Sequence, residues 1–526
     1  ICEKLCAAND YWCKCINSHD LAGDLVSLLT IMMLVCLLGA AAIYLIPTDK
    51  IETIKKVALA ISLFVMVLGI YLIVGFDSAN TSLQFSESRS WISAFGINYS
   101  VGVDGISAVL ILMSVILVPI VLLATWNEAD SGRWSSKSFY ILVLILELFM
   151  IGVFAATDLF LFYVFFEAML IPVYFMIAGF GNGERAAAAV KFLLYSLFGG
   201  LLMLASIIGT YVIAGNQIGK TFDIEKLSTL QIDQTTQNFL FLGFFLAFAI
   251  KAPLWPFHTW LPDAARSATT GTSVLLVGVL DKVGTYGMIK FCLKLFPEAS
   301  TYFTPMIITF SLISILYGAI VAIGQKDIRG LIAFTSISHF GFITMGIFAM
   351  TSQGMSGANL YMFNHAFSTA ALFLIAGWMI ARRKSAVIAD FGGLQRVTPV
   401  MAWCFFIAGL SSLALPGLAS FVSEFLVLVG TFTRYPVAAV IGTIGIILAA
   451  LYILIPVQRA LHGKTAVGNE NLADLTTREK IAIAPVLAII ILLGIFPKPV
   501  IDLINPTAKT VISNNGYSDP ASKVKK

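Results

Sequence analysis

Eight ionisable side chains stand inside apolar runs of this sequence. Glu147 lies in ILVLILELFMIGVF, Glu167 in DLFLFYVFFEAMLIPVYF and Lys251 in FLAFAIKAPLWPFHTW. Asp281 and Lys282 share VLLVGVLDKVGTYG, His339 lies in TSISHFGF, His365 in YMFNHAFSTAALF, and Glu424 in LALPGLASFVSEFLVLVG. A charge at the centre of a bilayer costs roughly 2.5–3.5 kcal/mol on insertion scales, so such residues mark function by default. An unpaired buried lysine or glutamate neutralises itself or finds a partner. Groups poised between two protonation states are what proton transfer requires. The functional reading is strongest for Glu167, Lys251, Lys282 and Glu424. His339 and His365, each taken alone, fit a satisfied core histidine equally well. Asp281 adjoins Lys282, and helix neighbours do not face each other, so it could simply line the cytoplasmic or loop side.

The elements that must hold these groups are membrane helices. The chain has 526 residues, of which 59% are hydrophobic and 12% charged, whereas soluble domains carry about 25% charge. A net charge of +4, scattered along the chain, excludes a nucleic-acid stripe. With about 20 apolar residues needed per crossing, fourteen candidate spans can be drawn at 22–46, 54–75, 104–126, 138–156, 158–180, 190–214, 238–260, 271–293, 303–324, 330–350, 357–381, 399–430, 436–458 and 480–497. Segments 76–103 and 215–237 are too polar to span and read as surface loops. The organisation expected is a polar N-terminal segment at 1–21, one transmembrane domain at 22–498 and a polar C-terminal tail at 499–526. Eighteen basic residues fall on the odd-numbered connections, against Arg89, Lys220, Lys226, Lys290, Lys294 and Arg434 on the even ones. That bias places the odd side in the cytoplasm and both termini outside it. Cys36, Cys292 and Cys404 read as small core hydrophobes. Cys2, Cys6, Cys13 and Cys15 lack the pair spacing of a zinc or iron–sulfur site.

Two spans are broken. Pro253 and Pro256 follow Lys251, and Pro416–Gly417 precedes Glu424; proline cannot continue regular helix hydrogen bonding. Five spans separate the breaks. This predicts an all-α polytopic protein with two inverted five-helix repeats, about 138–293 and 303–458, each with a discontinuous fourth helix of the kind that builds ion sites at mid-membrane.

At these residues the sequence resembles a known family. FFEAMLIPVYF, AFAIKAPLWPFHTWLPDA, DIRGLIAFTSISHFGF and ALPGLASFVSEF are similar to the antiporter-like subunit M family of proton-pumping NADH:quinone oxidoreductase (respiratory complex I). The resemblance runs from about residue 100 to about residue 500. Glu424 selects the branch, because the sister subunits L and N usually carry lysine there. The resemblance implies that Glu167 is the family's buried glutamate and Lys251 its partner lysine in the broken helix. It likewise implies that Lys282 is the central lysine, His339 and His365 the bridging histidines, and Glu424 the terminal acid. His258 also matches a family histidine. One departure follows LPDA, where the family continues with a histidine, an acid and a proline and this chain reads Ala265, Arg266, Ser267, Ala268, Thr269.

The resemblance implies a proton-translocating subunit of the inner (cytoplasmic) membrane with no cofactor of its own. The chain contains no nucleotide fingerprint and no iron–sulfur cysteine cluster, and no metal site is expected. Flavin, iron–sulfur clusters and quinone are expected on partner subunits, and the partners are other membrane subunits, above all neighbouring antiporter-like ones. Glu167 and Lys251 at 4 Å would attract each other by about 4 kcal/mol at an effective dielectric of 20, so pulling the glutamate away would release a proton towards Lys282, the histidines and Glu424. Two alternatives stand beside this: a subunit of an Mrp-type sodium/proton antiporter or membrane-bound hydrogenase, and a non-transporting membrane scaffold.

Overall fold

A computed structural model describes residues 26–519. The N-terminal cysteines at positions 2, 6, 13 and 15 lie outside the described residues.

The apolar runs form helices. In chain order these are α1 (Leu28–Leu45), α2 (Ile51–Val74), α3 (Gly105–Ala124), α4 (Ser136–Ala155), α5 (Leu159–Ala168), α6 (Leu170–Phe180), α7 (Arg185–Gln217) and α8 (Gln234–Lys251). They continue as α9 (Trp260–Ser267), α10 (Thr270–Leu275), α11 (Asp281–Gly287), α12 (Pro297–Ile323), α13 (Ile328–Phe348) and α14 (Ser352–Arg383). The last five are α15 (Pro399–Ser412), α16 (Ala419–Phe432), α17 (Pro436–Leu461), α18 (Thr477–Ile495) and α19 (Lys498–Asn514).

Among the described residues, 10 helices are long and apolar enough to cross a membrane, or 11 if α18 and α19, bent by 69°, count as one span. This is fewer than fourteen because several expected spans are interrupted. The run 270–293 passes through π-helical turns at Leu276–Leu280 and Met288–Leu293. The span expected at 399–430 is divided into α15 and α16, and α8 stops at Lys251.

The expectation of an all-α chain also needs one correction. Segment 76–103 contains an antiparallel hairpin, β1 (Gln84–Ile92) with β2 (Ile97–Val103). Its turn requires Gly96, whose φ is +70° and whose missing Cβ would lie 2.3 Å from the Lys220 carbonyl oxygen; only glycine adopts that conformation at no steric cost. The tail beyond Pro499 is not all irregular: α19 is amphipathic, with Val500, Ile504, Ala508 and Ile512 buried where it packs on α3 and α14.

Burial sorts the helices. α13 and α14 are enclosed along nearly their whole length, although they carry many of the polar residues. α1, α2, α7 and α17 turn Leu38, Tyr71, Phe198 and Ile447 outward, the apolar exterior a bilayer requires.

Both halves use the same device at one end. Asp158 caps α5 through Phe160 N–H and Leu161 N–H and forms an isolated β-bridge with Asp223, beyond α7. Asp327 caps α13 through Arg329 N–H and Gly330 N–H and bridges Val387, beyond α14. Asp158 lies at the hairpin, accepting from Asn98 N–H. The α5–α6 span carries the chain to the other end, where Asn182 N–H bonds the Ser267 carbonyl. Arg329 donates to the Ala268 carbonyl at that same end, so the two aspartate caps stand on opposite faces.

Candidate functional site

Lys251 is the last residue of α8 and is buried. The break after it leaves backbone groups that are satisfied locally. The Trp260 indole N–H donates to the Ile250 carbonyl at 2.9 Å, Leu254 N–H to Ala249, and Trp255 N–H to the Ser314 hydroxyl. The Lys251 ammonium has no hydrogen-bond partner. It lies over the rings of Phe166 and Phe192 at 5.5 and 5.4 Å, which stabilises a desolvated cation through the ring quadrupoles.

Glu167 sits at the end of α5, where Pro172 supplies no N–H for the Ala168 carbonyl and the helix is interrupted. Its carboxylate fits against α7 only because residue 200 is glycine: a Cβ there would lie 1.7 Å from Glu167 Oε1. The expected close Glu167–Lys251 pair is not formed. No ion pair within 4.0 Å joins them among the described residues, and Glu167 Oε1 has no hydrogen-bond partner.

Asp281 corrects the sequence reading. It faces no loop: it is fully buried, and neither carboxylate oxygen has a hydrogen-bond partner. Asp281 and Glu167 are the two carboxylates whose charges act on Lys251.

Lys282, one residue on, turns the other way. Its Nζ donates to the Val277 carbonyl at 2.6 Å and lies 2.7 Å from His365 Nδ1. With lysine as donor, His365 carries its proton on Nε2 and gives it to Thr369 Oγ1 at 3.1 Å. The π-helical turn just before Asp281 is a distortion that recurs at functional sites.

From His365 the line continues across α13 and α14. The rings of His339 and His365 meet edge to face at 5.2 Å. His339 Nε2 lies 3.2 Å from the Tyr452 hydroxyl. The Tyr361 hydroxyl, whose ring centroid is 5.7 Å from that of His339, donates to Glu424 Oε1. Glu424 is buried, and its charge also acts on Tyr452. Around the second break, Asn364 donates to the Ala419 carbonyl at 2.7 Å. Ser368 joins Ser411 at 2.7 Å and Ser420 at 3.1 Å. Ala414 and Gly417 turn the chain there with φ of +57° and +93°.

Thus Lys282, His365 and His339 follow one another, Glu424 joins them through Tyr361, and Lys251 and Glu167 lie on the adjoining α8 and α5 without direct contact to that line. Tyr361 and Tyr452 were missed. Tyr361 precedes His365 by four residues, so helical spacing places it on the same face; no sequence signal marks Tyr452. Glu147 stands apart on α4 beside the Cys36 thiol of α1. His258 lies within the first break, buried against Tyr317 at 5.0 Å. Of the departing stretch, Ala265 is buried, while Arg266 pairs with Asp263 and donates to Gln325.

A membrane helical bundle with two interrupted helices and buried lysines, histidines and carboxylates defines an antiporter-like class. The family described as NADH:quinone oxidoreductase/Mrp antiporter, TM, matches residues 156–449, and NADH-ubiquinone oxidoreductase chain 4, amino terminus, matches residues 28–153. NADH-quinone oxidoreductase subunit M of Mycobacterium tuberculosis is 48% identical over 94% of this chain and 96% of its own length. The chain belongs to the subunit M/chain 4 family of NADH:quinone oxidoreductase. Among solved structures, a chain of respiratory complex I from Thermus thermophilus with bound NADH superposes with a TM-score of 0.84 and 28% identity, covering 93% of this chain and all of that one. A chain of the Mrp complex from Dietzia shares the fold at a TM-score of 0.78 and 20% identity, covering 91% of this chain and 52% of that one.

Proposed function

We propose that this chain is the proton-translocating subunit M of a membrane-bound NADH:quinone oxidoreductase. In this reading it couples redox energy released in partner subunits to proton movement through Glu167, Lys251, Lys282, His365, His339 and Glu424. The observation that carries the proposal is the run of buried polar groups from Lys282 through His365 and His339 to the Tyr361–Glu424 pair, with buried Lys251 at the end of the adjoining α8. The partners are other membrane subunits of that complex, the neighbouring antiporter-like ones first. Flavin, iron–sulfur clusters and quinone belong to partner subunits, and this chain contributes no redox site.

Even at a separation of 6 Å, two opposite charges interact by about 3 kcal/mol at an effective dielectric of 20. Movement of Glu167 relative to Lys251 therefore changes the support for the ammonium by an amount comparable to the 2.3 kcal/mol needed to move one charge against 100 mV. A proton released at Lys251 passes to Lys282, whose contact with His365 directs it to the histidines, and Glu424 hands it to the outer side. The opposed aspartate caps at Asp158 and Asp327 support two inverted repeats, and the interrupted helices supply the spans beyond the uninterrupted ones towards fourteen. The basic connections support a cytoplasmic membrane with both termini outside.

The test is Glu424→Gln, which keeps shape and hydrogen bonding but cannot ionise. Vesicles bearing the assembled complex are expected to show clearly reduced proton uptake on NADH oxidation, with Glu424→Asp retaining part of it. Parental pumping by Glu424→Gln would mean that the proton leaves elsewhere. A strict requirement for sodium would favour the Mrp-type reading, and pumping indifferent to every buried charge would favour a scaffold.

A further inference from the structure

Asp281 has no place in the line just described, yet the helix that carries it is closely packed. α11 packs on the end of α8 with backbone against backbone. A Cβ on Gly284 would lie 2.5 Å from the Ala252 nitrogen and 2.6 Å from the Phe248 carbonyl oxygen. A Cβ on Gly287 would lie 2.3 Å from the Phe248 ring. Residues three apart share a helix face, so Asp281, three before Gly284, projects towards the α8 terminus that carries Lys251. Lys282 is rotated by about 100° and reaches His365 of α14 instead. One turn of α11 therefore presents a carboxylate to Lys251 and an amine to His365.

Two orphaned groups lie at this junction of α8 and α11, and no ion pair within 4.0 Å joins them among the described residues. The Lys251 ammonium and both Asp281 oxygens are buried without hydrogen-bond partners, which native interiors rarely tolerate. Lys251, Lys282 and Glu167 are the charged groups acting here.

We propose that Asp281 is the proton acceptor between Lys251 and Lys282, so that Lys251 has two alternative carboxylates rather than one. With Glu167 close, the ammonium is held. With Glu167 withdrawn, an N–H bond of the Lys251 ammonium breaks and an O–H bond forms on Asp281. The positive and negative charges cancel, leaving a neutral amine beside a neutral acid. The Asp281 O–H bond then breaks as an N–H bond forms on Lys282 in its amine form, the proton being handed across by water because the two side chains leave the helix in different directions, and the carboxylate is restored. No electrons are exchanged, and the net change is one proton moved from Lys251 to Lys282. Charge cancellation is favoured where desolvation penalises isolated ions, which is what this buried junction supplies.

The inference rests on the proton-line reading, and Lys251→Ala is measured in parallel so that the two can fail separately. Whole complex in native vesicles is assayed for NADH oxidation, proton uptake and the infrared difference spectrum between resting and turning-over states. Asp281→Asn is expected to assemble and to pump roughly tenfold less or worse, with loss of a protonated-carboxyl band present in the parent. Asp281→Glu should recover part of the pumping with a displaced pH profile. Lost pumping in Lys251→Ala with parental pumping in Asp281→Asn would overturn the relay and leave the proton line standing. Parental pumping in both would overturn both. Reduced pumping in Asp281→Asn without any change in the carboxyl band would reduce Asp281 to a fixed counter-charge and overturn the relay. Should Asp281→Asn not assemble, Asp281→Glu decides: a displaced pH profile supports the relay and an unchanged one contradicts it.

Discussion

Glu424 and Tyr361 show how a buried acid is held ready without being neutralised by a cation. Tyr361 donates its hydroxyl to one carboxylate oxygen, and the other oxygen has no hydrogen-bond partner. A hydrogen bond to a charged group contributes about 1.5–3 kcal/mol, enough to bias the carboxylate's protonation by at least tenfold. Tyr361→Phe removes that donor and leaves the ring packing in place. The complex should assemble normally, with reduced pumping and a displaced pH dependence of proton uptake; an unchanged pH profile would show that the tyrosine only fills space. The identities of the acids, lysines and histidines were legible because each interrupts an apolar run. Their partners were less so. Tyr452 lies 113 residues from His339 in sequence, and a tyrosine in an apolar helix carries no mark of which polar group it will meet.

At the scale of elements, the interruptions matter as much as the helices. Proline and glycine announced both breaks in the sequence, because a missing N–H or a positive φ has local chemistry that can be read directly. The π-helical turns on either side of α11 have no such signature, so the run 271–293 reads as one ordinary span and Asp281 as a residue of its cytoplasmic or loop side. The hairpin at 84–103 was hidden for a related reason: its residues are polar enough to exclude a span, and their pairing depends on tertiary placement. Close approach of α11 to α8 supplies a direct check. Gly284→Ala would thrust a methyl against the Ala252 and Phe248 backbone, which cannot move aside as a flexible side chain could. Overpacking of this kind costs about 1–3 kcal/mol. The expected outcome is less assembled complex on native gels and a lower unfolding midpoint in detergent. A variant as abundant and stable as the parent would mean that the two helices are not packed as described.

Across the whole molecule, a largely apolar core encloses the buried polar groups, and the outward helix faces are apolar as well, unlike a soluble protein's surface. The buried helices α13 and α14 carry His339, His365 and Tyr361, while the outward helices carry leucine, isoleucine and phenylalanine. In the proposed reading, this buried charge is what a neighbouring subunit would disturb. The central claim is that Lys251 gives up a proton when its carboxylate support changes. It is tested most directly by the number of protons translocated per NADH oxidised in vesicles bearing the Lys251→Ala complex. Removing the lysine strands acids in the interior, so some loss of stability is expected, and only assembled complex is compared. The account predicts electron transfer with proton translocation well below the parental ratio; a parental ratio from fully assembled Lys251→Ala complex would contradict it.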